Sequence, residues 1–115
     1  MWWVAETGDL PPAVSQTIED PRSEVLLSAA SAWEIAILRA AGRLEAPADI
    51  VTALAASGIE PLPVTIAHAE RAGSLPRIHG DPFDRMLVAQ AQIEGLTIVT
   101  RDAQIPRYDV SVLVA

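Results

Sequence analysis

Short apolar runs bounded by turn-forming residues alternate along this chain with longer stretches of helical periodicity. Glu24-Val25-Leu26-Leu27-Ser28 is apolar through its middle and closed by breakers, which predicts a short buried strand. A helix is expected from near Ser31 to Ala41, with Gly42 ending it. Ahead of these, Pro11-Pro12 opens a short helical stretch through Ile18, which Asp20-Pro21 terminates. A further helix is expected over Pro47 to Ser57, closed by Gly58. Ile59-Glu60-Pro61-Leu62-Pro63-Val64 reads as extended, and its prolines place it at a sheet edge. Thr65 caps a helix to about Ala72, and Asp81-Pro82 opens a stronger one that Gly95 ends. Thr97-Ile98-Val99-Thr100 and Val110-Ser111-Val112-Leu113-Val114 are the remaining strands. Strands alternating with helices predict an α/β fold, a parallel sheet flanked by helices on both faces. Ligands of such sheets bind at the carboxyl ends of the strands, which is where chemistry should be sought.

Composition narrows this picture. A chain of 115 residues suits one domain, and its 50% apolar content suffices for a continuous core. The absence of cysteine excludes disulfides, thiolate metal sites and cysteine nucleophiles. The start of the chain has no basic region followed by an apolar stretch, and no apolar run is long enough to span a bilayer. A soluble, cytoplasmic protein without membrane attachment is therefore expected. The net charge of -7 sets 15 acidic residues against 8 basic ones, all arginine. A protein that bound nucleic acid only by neutralising phosphates would be basic. Divalent cations between carboxylates and phosphates remove that objection, although a solvated acidic surface accounts for the charge equally simply.

Acids gather at three handovers between strand and helix. Glu34 follows the strand ending at Ser28 and is placed in the first turn of the next helix. Asp102 lies just past the strand ending at Thr100. Asp81 and Asp84 stand at the start of the helix leading into that strand, about 60° apart around its axis. Each has a structural explanation. Ser31 and Glu34 fit a capping box, Asp81 is an N-cap ahead of Pro82, Asp84 suits the helix dipole, and Asp102 can start a turn. Glu34 also falls on the side of Ile37, Leu38 and Ala41, where a carboxylate needs a partner. Several acids converging on one end of a sheet repel one another unless a cation joins them. Mg2+ or Mn2+ suits an all-oxygen site of that kind.

Three stretches carry a specific resemblance: Val-Leu-Leu-Ser-Ala-Ala-Ser-Ala-Trp-Glu-Ile-Ala-Ile (25–37), Asp-Pro-Phe-Asp-Arg-Met-Leu-Val-Ala-Gln-Ala (81–91) and Gly-Leu-Thr-Ile-Val-Thr-Arg-Asp (95–102). In this order they resemble consecutive blocks of PIN-domain proteins of the VapC toxin type, over essentially the whole chain. The resemblance implies a PIN-like three-layer fold and a metal-dependent endoribonuclease, the toxin of a type II toxin–antitoxin pair. It implies that Glu34, Asp84 and Asp102 ligate Mg2+ or Mn2+, with Asp81 and Thr100 auxiliary. RNA is the implied substrate, a cognate antitoxin and a second copy of the chain the implied partners.

The front of the chain departs from the pattern. Members of the family open with an apolar strand ending in Asp, usually followed by Thr. Here Met1-Trp2-Trp3-Val4 resembles the middle of the helix that comes next, so the opening central strand and its Asp are expected to be missing. Glu6 and Asp9 follow that stretch and do not fill the place. On this reading residues 1–115 are a single, N-terminally incomplete PIN domain. Its alternative function is that of an inactive remnant which binds an antitoxin or a homologous toxin.

Other chemistry is weaker. Arg85, Arg101, Arg39 and Arg43 are candidates for holding RNA phosphates; solvated surface roles fit Arg39 and Arg43 equally, and Arg85 can instead pair with Asp81 or with an acid elsewhere. His68 has no second histidine at metal spacing and is expected to pack or lie at the surface rather than act as a ligand. His79, just before Gly80-Asp81, is placed to approach substrate. Ser28 and Ser31 lack the histidine and acid of a triad, no glycine-rich phosphate loop occurs, and Trp33 is expected in the core.

Overall fold

The computed structural model describes residues 2–5, 24–43, 56, 58–100 and 102–114. Its elements run β1 (Trp2–Ala5), β2 (Glu24–Ser28), α1 (Ala29–Ala40), β3 (Glu60–Leu62), α2 (Ile66–Ser74), α3 (Pro82–Glu94), β4 (Thr97–Thr100), a 3-10 turn (Ile105–Arg107) and β5 (Ser111–Val114). The strands form one sheet in the order β3-β2-β1-β4-β5, and every pairing is parallel. The expected α/β architecture with a parallel sheet is therefore present. The chain steps outward from β1 through β2 to β3, then returns to the other side of β1 for β4 and β5. That reversal makes the carboxyl ends of β2, β1 and β4 a topological switch point.

The centre of the sheet corrects one expectation. Trp2–Ala5 is not the middle of a helix, and the central place is not vacant. Val4 pairs with Leu26 of β2 on one side and Ile98 of β4 on the other. The physical reason is the backbone of those two neighbours, whose inner edges would otherwise be unpaired within the sheet. A tetrapeptide of two tryptophans, valine and alanine has the composition of a strand with neighbours on both sides. Glu6 and Thr7 follow β1 in sequence; with Asp9, the expected helix from Pro11 and most of that from Pro47, they lie outside the described residues.

α1 begins earlier than its sequence suggests. Ser28, the last residue of β2, is the N-cap, its hydroxyl accepting from the Ala30 N–H at 3.1 Å. Ser31 is consequently inside the helix and buried, so the proposed Ser31–Glu34 capping box is not the helix start, and Glu34 lies in the second turn. The buried face of α1 is Ala30, Ser31 and Ile35. Trp33 sits about 200° around the axis from both Ser31 and Ile35, and is 64% exposed rather than in the core.

β3 is the edge strand its prolines predicted. α2 is capped by Thr65, and His68 completes the cap. The His68 Nδ1 accepts from the Thr65 N–H at 3.0 Å, while the Thr65 hydroxyl accepts from the His68 N–H at 3.2 Å. The other ring nitrogen reaches Glu94 Oε1 at 2.9 Å, tying the start of α2 to the end of α3. His68 is thus a buried structural histidine, as expected. α3 supplies the core face with Leu87, Val88 and Ala91, packed against Leu26, Leu75, Leu96, Ile98, Ile105 and Tyr108.

Gly95 ends α3 in the left-handed conformation, φ 67°, and two residues later β4 begins. A Cβ at Gly95 would meet nothing within 4 Å, so Gly95→Ala carries only the conformational penalty. Urea denaturation should show a loss of about 1 kcal/mol with an unchanged slope.

Candidate active site

Each acid takes its position from local capping chemistry. Asp81 is the N-cap of α3: its Oδ1 accepts from the Phe83 N–H at 2.9 Å and the Asp84 N–H at 3.1 Å. Pro82 at the first helical position needs no donor. Asp84 then falls at the third helical position, where the helix dipole favours a carboxylate. It is also 3% exposed, an uncommon place for an acid. Its Oδ2 lies 3.2 Å from His79 Nε2.

Asp102 sits in a turn that fixes it from both sides. Its N–H donates to the Thr100 hydroxyl at 3.0 Å, and its Oδ1 accepts from the Gln104 N–H at 2.6 Å. Thr100, 1% exposed at the carboxyl end of β4, thereby couples that strand end to the acid. Glu34 is half-buried in α1, close in sequence to the carboxyl end of β2. Asp102 thus lies two residues past the end of β4, whereas Glu34 is six residues past the end of β2.

The structural explanations also hold for Asp81 and Asp102, which do cap and turn the chain. Such anchoring fixes a side chain in place and leaves chemistry to the rest of the carboxylate. Among the described residues, no three acids or histidines lie close enough to form a ready-made metal cage. The donor set itself fits a hard divalent cation, since Glu34, Asp84, Asp102 and Thr100 offer oxygen alone.

The arginines divide. Arg85 donates from Nη2 to the carbonyls of Ala72 at 3.0 Å and Leu75 at 3.1 Å. Its Nη1 donates to Pro76 O at 2.9 Å, His79 O at 3.4 Å and the Tyr108 hydroxyl at 3.3 Å. This guanidinium holds the segment between α2 and α3 through backbone carbonyls, and it is these carbonyls and the Tyr108 hydroxyl that its hydrogen bonds reach. Arg101 lies outside the described residues. Arg77, passed over in the sequence, is exposed and lines a cleft of about 620 Å³ with His79, Gly80, Pro82 and Arg85. Tyr108 was also passed over, because nothing local marks a residue 24 positions after Asp84 as its neighbour's partner.

A five-stranded parallel sheet with a switch point at its middle, packed against helices, defines an α/β domain. A PIN-domain family model matches residues 1–111. Ribonuclease VapC22 of Mycobacterium tuberculosis is 33% identical over 107 residues, covering 90% of this chain and 82% of that protein. The crystal structure of DNA-bound VapBC from Salmonella typhimurium superposes with a TM-score of 0.71 at 17% identity, covering 99% of this chain and 98% of that one. VapBC2 from Rickettsia felis, bound to a DNA fragment from its promoter, gives 0.74 at 15% identity, covering 100% and 99%. The chain belongs to the PIN-domain family, in its VapC-like branch. No helix among the described residues is long and apolar enough to cross a membrane.

Proposed function

We propose that the chain is a metal-dependent endoribonuclease, the toxin of a VapBC-type pair acting in the cytoplasm. Asp84 carries this reading: a carboxylate kept almost out of water at a helix start, in a chain of this family. Glu34, Asp84 and Asp102 would hold Mg2+ or Mn2+, with Asp81 and Thr100 supporting Asp84 and Asp102 respectively. Such an ion supplies positive charge at the scissile phosphate and makes hydroxide available as nucleophile near neutral pH. The chain's own part is orientation. Asp81 fixes the first turn of α3, the Thr100–Asp102–Gln104 turn fixes the acid after β4, and burial of Asp84 strengthens its attraction for a cation. Arg77, exposed beside the His79 cleft, and Arg101 are the guanidinium groups proposed to meet RNA phosphates.

An antitoxin partner is proposed because the structures resembling this fold are of VapBC assemblies. Exposed Trp33, Ile37, Val64 and Ile66 supply apolar surface for that partner or for a second copy of the chain. The alternative, a binding-only remnant, rested on a missing central strand and its missing aspartate; β1 occupies the strand's place, and no aspartate directly follows it in sequence.

The test is cleavage of a mixed RNA by the 115-residue chain with Mg2+ or Mn2+, then with EDTA, using Asp84→Asn as the control. Cutting that needs the ion and Asp84 is the expected result. A folded preparation that cuts nothing with either ion would sink the nuclease and favour a binding role.

A further inference from the structure

His79 lies outside the ligand set yet touches it, and its hydrogen bonds form a directed chain. Arg85 Nη1 can only donate, and at 3.3 Å the Tyr108 oxygen is one of three acceptors that share its two protons. The Tyr108 hydroxyl proton is then directed to His79 Nδ1, 2.8 Å away. Nδ1 is an acceptor in that arrangement, which leaves the ring proton on Nε2, 3.2 Å from Asp84 Oδ2. The opposite tautomer would set a nitrogen lone pair against a carboxylate oxygen. In a neutral ring this tautomer gives each nitrogen a complementary partner. The side chains of His79 and Asp84 are largely shielded from water, at 16% and 4% exposed.

We propose that His79 is a positioning residue for Asp84, held in its Nε2–H tautomer by Tyr108 and Arg85, so that the carboxylate is oriented before a divalent ion arrives. This rests on the reading of Asp84 as a ligand. Carboxylates that bind metals are themselves hydrogen-bonded, and loss of such a partner lowers metal affinity about 10–100-fold. His79 supplies the bond from the residue two before the cap of α3, and Arg85, one residue beyond Asp84, braces the far end through Tyr108. The same guanidinium that pins the segment before α3 thus also contacts the Tyr108 hydroxyl at the far end of the chain.

Two readouts on the full chain test this. The first is ¹⁵N NMR of the histidine rings in metal-free wild type at about pH 8, where an ordinary imidazole is neutral. The expected result is an Nε2–H ring for His79; an Nδ1–H ring overturns the proposal. The second is Mn2+ binding by calorimetry, comparing wild type with His79→Gln and His79→Leu. The amide nitrogen of glutamine reaches about where Nε2 does and can still donate to Asp84, whereas leucine cannot. His79→Leu should bind Mn2+ about 10–100-fold more weakly and His79→Gln within a few-fold of wild type. Equal affinity of wild type and His79→Leu overturns this inference while leaving Asp84 as a ligand. A wild type that takes up no Mn2+ overturns both. Should His79→Leu fail to fold, the tautomer of wild type and the affinity of His79→Gln still decide, a large loss in His79→Gln counting against the donor role.

Discussion

Arg85→Ala is expected to destabilise the protein by about 3–5 kcal/mol, a large fraction of the roughly 5–15 kcal/mol that holds an ordinary domain folded. The size follows from the number of groups orphaned together. Four backbone carbonyls between Ala72 and His79 take protons from this one guanidinium. Hydrogen bonds from a charged donor contribute about 1.5–3 kcal/mol each, and the longest of these, at 3.4 Å, contributes least. They are not additive, and water replaces part of what is lost at the more exposed carbonyls, so the estimate stays well below their sum. Arg85→Lys should recover only a fraction. An ammonium is a point donor and cannot span carbonyls on both the end of α2 and the approach to α3 as the planar fork does. Urea denaturation of the two variants measures this directly. If Arg85 were instead a phosphate contact, Arg85→Ala would leave the urea midpoint nearly unchanged and weaken RNA binding in a salt-dependent way.

Arg85 also shows what sequence could and could not deliver. α3 and β4 are legible almost to the residue, because their boundaries are written in local chemistry: Asp81 and Pro82 open the helix, Gly95 closes it, and a four-residue apolar run follows. β2 and the edge strand β3 are legible for the same reason. The start of α1 is displaced by nearly a turn because Ser28 and Ser31 are both credible caps, and the choice between them depends on where β2 stops pairing with its neighbours. Trp33 is misread by the same shift. An apolar residue next to Glu34 looks like core until the buried face is fixed by Ala30, Ser31 and Ile35. β1 is illegible for a stronger reason. Four apolar residues satisfy a helix and a strand equally, and only contacts with Leu26 and Ile98, more than twenty and ninety residues away in sequence, choose between them. At the candidate site, the local positions of Asp81, Asp84 and Asp102 in cap and turn were readable from their flanking residues. Their anchoring was not, since Tyr108, His79 and Arg85 meet only through tertiary structure.

Asp84→Asn should separate activity from stability more sharply than any other substitution. Cleavage is expected to fall at least about 100-fold, because the amide keeps the shape of the side chain and removes the charge that draws the cation. Stability should change by less than about 1 kcal/mol. The asparagine oxygen can still accept from His79 Nε2–H, and a neutral group is less costly than a carboxylate at a 3% exposed position. Asp84→Ala is the contrasting case. It removes the charge and also leaves the His79 Nε2–H without its acceptor, so it should lose as much activity and a further 1–3 kcal/mol or so of stability. RNA cleavage rates paired with urea midpoints for both variants give four numbers that a purely structural Asp84 cannot reproduce. In that case activity would track the folded fraction, and Asp84→Asn, still folded, would cut RNA like wild type. Loss of cutting in a fully folded Asp84→Asn assigns the buried carboxylate to the chemistry and leaves the capping of α3 to Asp81.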